Sequence, residues 1–390
     1  MQEFTYYAPT AIYFGADCLR AHRQILRQCG ARGFILTSRF ANGCQNLALE
    51  DAKVLLKQEG ISFGVFEEVE ENPTVESIQC IANQIREYVP DFLLAIGGGS
   101  ALDTAKAANV LLTYPAQAEP YEVFYGDGPS GDLKSAGRLP MFGIPTTVGS
   151  GSEVMGYAVL TRTDTHTKLR MDQMSYFDAA FLDARYVVGS PQWLLDSGAM
   201  DALSHGVEGY LHVKSARPGR LWHDYGFEMF AGYRDALLSG VLTMGNFEQM
   251  LVAASVQGIG TMQSGTTIPH AMGYPLTHFK GVSHGIASVM TIPAYLELLR
   301  DTEEAQHIIM ACGFSDLEEF AGYIRQIVVR NVSITVTAEE LETWTDEVFA
   351  LKNRLSRHRG HITRENIRQI YLQSLAPFLL AEQKACSARA

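Results

Sequence analysis

Through the first 145 residues short apolar runs alternate with segments of helical period, and after about Ser190 such runs nearly vanish. Gly33-Phe34-Ile35-Leu36-Thr37 reads as a strand. Asn46 to Gly60 follows, with Leu47, Leu49, Ala52, Leu55 and Leu56 at helical spacing and a glycine to stop it. Ile61 to Phe66 predicts a second strand, Val75 to Tyr88 a second helix, Phe92 to Ile96 a third strand, and Leu139 to Ile144 a fourth closed by Pro145. Strands that are apolar throughout, with helices between them, require a parallel sheet covered on both faces. In the second half, helical periods run over Pro191–Lys214, Leu221–Leu238, Phe247–Gln263, His284–Leu299, Ser315–Val328 and Ala338–Leu351. Pro191 suits a first helical turn. At 390 residues the chain is long enough for two cores. The expectation is an α/β domain over 1–185 and an all-α domain over 186–390, with no long linker and a site in the cleft between them.

Composition narrows what such a protein does. A net charge of -12 argues against a nucleic-acid or anionic-membrane surface, because nothing would neutralise the phosphates. Cys18, Cys29, Cys44, Cys80, Cys312 and Cys386 form no CxxC pair, so neither a zinc ribbon nor a disulfide framework is expected. Met1 to Pro9 lacks the pattern of a signal peptide, and no apolar run approaches the ~18 residues of a membrane span. A reducing cytoplasm fits.

Gly97-Gly98-Gly99-Ser100 follows the third strand directly and opens a helix running from Ala101 to about Leu112. Glycines there let the backbone approach a pyrophosphate, while free N–H groups and the helix dipole hold its charge. Leu102 stands where G-x-G-x-x-G needs its third glycine, and no Gly-Lys-Ser/Thr follows, so neither common phosphate fingerprint is met. Alone, GGGS is equally well a tight turn with no ligand. A second small-residue loop, Pro145-Thr146-Thr147-Val148-Gly149-Ser150-Gly151-Ser152-Glu153, also leaves the carboxyl end of a strand, where open α/β sheets bind ligands. Two such loops favour a dinucleotide.

Asp201 and His205, in Met200-Asp201-Ala202-Leu203-Ser204-His205, are i and i+4 on a helical segment and project from one face. A surface Asp–His hydrogen bond would look the same. His270, in Ile268-Pro269-His270, and His284, in Gly281-Val282-Ser283-His284-Gly285, sit in apolar, glycine-rich surroundings that suit buried ligands. Two satisfied core histidines are the plainer alternative. Three imidazoles and one carboxylate would hold Fe²⁺ or Zn²⁺ with a position open for substrate, and the spacing does not name the metal. His278, beside Lys280, is expected to face water; His22, His166, His212, His223, His307, His358 and His361 read as surface or structural. No G-x-S-x-G elbow supports Ser/His/Asp hydrolysis.

Taken together, Glu71-Asn72-Pro73, Gly97-Gly98-Gly99-Ser100 with Asp103, the Pro145–Glu153 loop, Met200–His205, His270 and His284 resemble the iron-containing (group III) alcohol dehydrogenase family. The likeness runs from Gly15 to the Ile362–Ile370 region and is nearest the propanediol- and butanol-dehydrogenase branch. It implies a Rossmann-like N-terminal domain and a helical C-terminal domain, the architecture of dehydroquinate synthase, and an assembly of two identical chains. It also implies Asp201, His205, His270 and His284 as metal ligands, with Fe²⁺ first and Zn²⁺ as the alternative. Asn72, Gly98, Gly99, Ser100, Asp103, Thr146, Thr147, Ser150 and Lys168 then match dinucleotide-contacting positions, and Leu182 packs near the cofactor.

Two departures from the family pattern matter. Tyr274 stands where many members carry a further, proton-relaying histidine, so the relay falls to Tyr274, His278 or water. Ser38, followed by Arg39, stands where members selecting NAD often carry aspartate; serine and arginine can bond a 2′-phosphate, so NADP(H) is preferred over NAD(H). The implied activity is hydride transfer between a small alcohol or aldehyde and the nicotinamide, with the metal as Lewis acid on the substrate oxygen. Rival readings on the same fold are a dehydroquinate-synthase-type lyase, a non-catalytic nucleotide sensor, and a hydroxyacid–oxoacid transhydrogenase. A carboxylate-binding arginine would support the last of these.

Overall fold

The computed structural model describes residues 3–39, 46–126, 131–132, 137–164 and 167–380; Cys44, His166 and Cys386 lie outside them. The chain divides into two compact units, one of Ala8–Gly189 and one that runs from Ser190 onward and takes in the first residues up to Tyr7.

In the first unit the strands of four or more residues are β1 (Ala11–Phe14), β2 (Arg32–Thr37), β3 (Ser62–Phe66), β4 (Phe92–Gly97), β5 (Met141–Pro145), β6 (Val159–Arg162), β7 (Thr167–Arg170) and β8 (Ala179–Leu182). Six of them form one sheet in the order β1-β8-β5-β4-β2-β3, with every neighbouring pair parallel. Helices α1 (Leu47–Gln58), α2 (Val75–Tyr88) and α3 (Gly99–Leu112) cover it. The two-residue side-chain period decides which helix meets which face. Phe34, Leu36, Leu93 and Ala95 pack with Ile78, Ile85, Leu102 and Val110 of α2 and α3. Ile35, Leu94 and Ile96 point the other way, onto Leu49, Ala52 and Leu56 of α1. This is the doubly wound α/β arrangement that the apolar runs demand. The hairpin β6–β7 and the four-residue strands β1 and β8 escape a reading by period, because four residues carry too little of one.

The second unit is helical. Its principal helices include α4 (Gln192–Leu211), α5 (Arg217–Ser239), α6 (Met244–Ser264), α7 (Ile268–Lys280) and α8 (His284–Val289). The helix expected over His284–Leu299 is two pieces, α8 and Ile292–Glu297, because Pro293 starts a new helix. Conversely α7 forms although its segment carries two prolines. Pro269 lies in the first turn, where a missing N–H costs nothing, and Pro275 forfeits one bond inside a buried helix. Further helices run over Glu303–Ala311, Leu317–Asn331, Ala338–Ala350, Lys352–Leu355 and Arg364–Leu375. Among the described residues no helix is long and apolar enough to cross a membrane.

Helix α4 is buried from Leu195 to Leu211, on all sides. Its polar side chains therefore need partners, since an unmatched buried charge is costly. At its start Asp196 accepts from Gln192 Nε2 (2.9 Å), Arg330 Nε (2.7 Å) and Asn331 Nδ2 (2.7 Å), which ties α4 to the helix Leu317–Asn331. Further along lie Asp201, His205 and Glu208, spaced by four and three residues and so on one stripe.

Candidate metal and dinucleotide sites

Three of the four expected metal ligands come together. Asp201 from α4, His270 from the first turn of α7 and His284 at the start of α8 each bring a donor atom within 4.8 Å of the others. Asp201 Oδ1 lies 3.7 Å from His270 Nε2 and 3.8 Å from His284 Nε2. Two donors each about 2.1 Å from one ion sit roughly 3.4 Å apart in a tetrahedral shell, so small side-chain adjustments close this set on a metal. His205 stands beside it and is not one of the three. Its Nδ1 is 4.0 Å from Asp201 Oδ2 and its ring is 4.7 Å from that of His270. The close approach depends on Gly285: a Cβ there would lie 1.8 Å from the Ser197 carbonyl oxygen and 2.9 Å from Asp201 Cβ. Only glycine lets α8 rest on α4 at the carboxylate.

Glu208, one helical step beyond His205, is the residue that reading the sequence missed. It is fully buried, and its Oε1 accepts a hydrogen bond from His270 Nδ1. Its Oε2 accepts from Thr267 N (2.7 Å), Thr267 Oγ1 (3.2 Å) and His270 N (3.3 Å). Burial pushes the carboxyl up, but the His270 ring and these N–H donors outweigh it and hold Glu208 below the ordinary carboxylate range. The His270 ring feels the converse: burial works against its charge, and Glu208, then Asp201, raise it. With Nδ1–H directed at Glu208, the imidazole presents Nε2 towards Asp201, and that buried nitrogen has no hydrogen-bond partner among the described residues. A carboxylate behind a histidine in this way fixes the tautomer that binds metal. The donor set and the buried, unmatched nitrogen fit a divalent ion. The available signal was a lone glutamate on the Asp201–His205 stripe of an otherwise apolar helix.

Tyr274, in the position of the absent relay histidine, stacks on the His284 ring, 6.0 Å between centroids and 12° between planes. His278 is exposed and packs edge-on against Phe279, as expected. Of the histidines set aside as surface or structural, His212, His223 and His358 are buried. His223 Nδ1 pairs with Gln257 Oε1 (2.6 Å) and His358 Nδ1 with the Tyr295 hydroxyl (2.8 Å), which makes both structural.

In the first unit the two small-residue loops meet. Gly98 is the N-cap of α3 with no side-chain cap, so the first-turn N–H groups stay available to an anion. A Cβ on Gly98 would lie 2.7 Å from Thr147 Oγ1, and one on Gly99 3.1 Å from Ser150 Cβ. Thr146 N donates to the Gly97 carbonyl at 3.0 Å, linking the turn to the second loop. Leu102, in place of the third glycine, lies over Gly143 of β5, which supplies the room. Asn72, at φ 57°, donates its N–H to Ser100 Oγ (3.2 Å) and accepts from Lys168 Nζ at Oδ1 (2.7 Å). Residues 96 apart in sequence are thus joined by the hairpin β6–β7, whose Thr161 hydroxyl donates to the Asn72 carbonyl (3.0 Å).

Asp103 stands behind this surface. Its carboxylate accepts from Ser152 Oγ (2.5 Å) and Val159 N (2.9 Å) and pairs with the fully buried Lys106 (2.8 Å). Lys106 also donates to the Ser152 and Tyr157 carbonyls. Burial works against the Lys106 charge, and Asp103 with Glu153 opposes that loss. Asp103 therefore also holds the second loop in place. Leu182 is buried at the end of β8, and its carbonyl accepts from Gly15 N at 3.0 Å. Ser38 forms a β-bridge with Glu68, and Arg39 pairs with Glu68 Oε1 at 3.1 Å, both side chains largely in solvent.

A family model described as iron-containing alcohol dehydrogenase matches residues 9–184. One described as the C-terminal part of the Fe-containing alcohol dehydrogenase family matches 196–375. Lactaldehyde reductase of Escherichia coli (strain K12) is 30% identical over 245 residues, 62% of this chain and 62% of that enzyme, so the match spans less than two thirds of its length. Sulfoacetaldehyde reductase of Bilophila wadsworthia is 25% identical over 386 residues, 93% of this chain and 97% of the relative. An iron-containing alcohol dehydrogenase from Thermotoga maritima has a crystal structure that superposes with a TM-score of 0.83 at 31% identity, covering 96% of this chain and 100% of that one.

Proposed function

The chain belongs to the iron-containing alcohol dehydrogenase family, and from that premise we propose that it transfers a hydride between a small alcohol or aldehyde and a nicotinamide dinucleotide. The observation that carries this reading is the convergence of Asp201, His270 and His284, with His270 oriented by Glu208. Those three would hold the ion, and His205, whose Nδ1 lies 4.0 Å from Asp201 Oδ2, would be the fourth ligand. Fe²⁺ is the assignment that the family supports, and Zn²⁺ is the alternative that the same ligands accept. Lewis-acid polarisation of the substrate oxygen is the chemistry such an ion supplies. We assign to Tyr274, stacked on His284, the proton that enters or leaves that oxygen, with His278 or water as the other relays. In the first unit, Gly98, Gly99, Ser100, Thr146, Thr147 and Ser150 are assigned to the diphosphate, and Asn72 with Lys168 to the dinucleotide beside it. Names among the relatives include both uncharged and anionic aldehydes, so the reading stops at a small one.

NADP(H) is the preferred cofactor in this reading. The Arg39–Glu68 pair is exposed, and such pairs are worth about 0–1 kcal/mol, so a 2′-phosphate can take the guanidinium from it. Replacing Arg39 with aspartate is expected to raise the KM for NADPH about 10- to 100-fold, the value of one charged hydrogen bond, and to leave that for NADH little changed. Steady-state kinetics with both cofactors checks this, and equal shifts for the two would remove Arg39 from the site.

Two chains are expected to associate. β1 ends the sheet, its Ile12 and Phe14 are 38% and 47% exposed, and an uncovered parallel edge invites pairing. Light scattering should give the mass of a dimer for the native protein and of a single chain for Phe14→Lys. The free thiols of Cys18, Cys29, Cys80 and Cys312 suit a reducing cytoplasm, where we place the protein.

Metal analysis of the purified protein, followed by NADPH and NADH oxidation with a panel of short aldehydes, tests the whole reading. Metal-loaded protein that oxidises neither cofactor with any aldehyde would overturn it. Net cofactor consumption also separates a dehydrogenase from a lyase or a transhydrogenase, which return the cofactor unchanged.

A further inference from the structure

Ser100, Asp103 and Lys106 follow one another at three-residue steps on α3 and so share a stripe that starts at the glycine turn. Each fixes a different stretch of chain. Ser100 Oγ receives the Asn72 N–H (3.2 Å), and Asp103 Oδ2 receives the Val159 N–H (2.9 Å). Lys106, third on the stripe, is fully buried. Its Nζ donates to Ser152 Oγ (2.8 Å) and to the carbonyls of Ser152 (3.1 Å), Met155 (3.3 Å) and Tyr157 (2.5 Å), and it pairs with Asp103 Oδ1 (2.8 Å).

The stretch gathered by Lys106 has no regular structure. Residues 152–158 form neither helix nor strand, and all but Tyr157 are buried. Carbonyls in such a segment have no ladder to enter, and leaving one unmatched away from water is costly. An ammonium with three N–H donors meets several of them from a single point. A charge is itself expensive to bury, so filling space does not account for a lysine at this position. Both ends of the stretch reach the dinucleotide loops. Ser152 N donates to Ser150 Oγ (3.3 Å), and Ser150 Cβ bounds the space over Gly99. Val159 opens the hairpin β6–β7, whose Thr161 and Lys168 hold Asn72.

We propose that Lys106 is a positioning residue for the dinucleotide: its ammonium holds residues 152–157 so that the Ser150 loop and the Asn72–Lys168 hairpin stand in their binding arrangement before the cofactor arrives. This rests on the dinucleotide reading above and deepens it. Ordering done in advance does not have to be done at the expense of binding, so it enters the affinity directly. Lys106 acts through the loop and not on the reacting atoms.

The test compares metal-loaded wild-type, Lys106→Met and Ser152→Ala enzyme. Binding of NADPH and NADH is followed by the cofactor's own fluorescence with no aldehyde present, and steady-state kinetics and melting curves complete the set. Methionine keeps most of the apolar stem of the lysine and removes the ammonium. Lys106→Met should weaken binding of the preferred cofactor and raise its KM about 10- to 100-fold, with the aldehyde KM and the kcat at saturating cofactor changed at most about threefold. Ser152→Ala removes the hydroxyl between Lys106 and Asp103 and keeps the carbonyl. It should weaken cofactor binding about three- to tenfold, and it decides the matter if Lys106→Met does not fold. A lowered melting temperature with cofactor affinity within about twofold of wild type would overturn the proposal, since Lys106 would then serve stability alone. So would a kcat at saturating cofactor that falls as far as the affinity does, because the distortion would then be general. Wild-type enzyme that binds neither NADPH nor NADH would instead remove the dinucleotide reading itself, which keeps the two failures apart.

Discussion

His270→Ala is expected to leave a protein without a tightly held divalent ion and with aldehyde reduction down by at least about a thousandfold. The size follows from what the ion contributes: several kcal/mol of stabilisation at the reacting oxygen, at 1.36 kcal/mol per factor of ten. His270 is the most exacting of the proposed ligands to lose. It is buried, its Nε2 faces Asp201 at 3.7 Å, and its Nδ1 is the partner of Glu208. Removing the ring therefore also leaves Glu208 Oε1 without its donor, which costs about 1–3 kcal/mol of stability. His270→Asn separates the two effects, because an asparagine amide can replace Nδ1–H towards Glu208 while offering nothing at the position of Nε2. Elemental analysis and thermal melts of both variants decide the matter. Wild-type metal content in His270→Asn would show that the imidazole is not a ligand.

The second large effect is expected at a residue that touches neither metal nor substrate. Glu208→Gln keeps the shape of the side chain but reverses one hydrogen bond. Three donors, Thr267 N, Thr267 Oγ1 and His270 N, converge on Oε2, so the glutamine amide oxygen must stay there. Its NH₂ then faces His270 Nδ1, which has to become the acceptor. The ring proton moves to Nε2, the nitrogen that should bind the ion. A drop in metal affinity of about 10- to 100-fold is expected, the usual cost of losing an outer-shell carboxylate. Competition with a chelator measures it, with a melting curve to show that the fold is retained. Unchanged affinity would mean that Glu208 serves packing alone.

Much of this protein is legible in the order of its residues. Phe92-Leu93-Leu94-Ala95-Ile96 running into Gly97-Gly98-Gly99-Ser100 identifies a buried parallel strand and the turn after it, because an all-apolar strand needs cover on both faces and the glycines admit a close backbone. The i, i+4 pair Asp201 and His205 is readable because helical period alone puts them on one stripe. His270 and His284 are readable as candidates by type and surroundings. Helix α7 was less so, since a proline at its start and another within it are marks of interruption unless burial and packing outweigh them.

What the residues determine by themselves is local: which segments are apolar, with what period, and which donors share a helix face. Whether donors 69 and 83 residues beyond Asp201 meet at it was decided by tertiary packing, and Gly285 against Ser197 shows how narrow that decision was. The same holds for Lys168 reaching Asn72 through a hairpin, for Asp103 turning inward to Lys106, and for Glu208 finding His270. Each of these contacts is set by distance and burial between elements far apart in sequence, and no period along the chain encodes a distance across it.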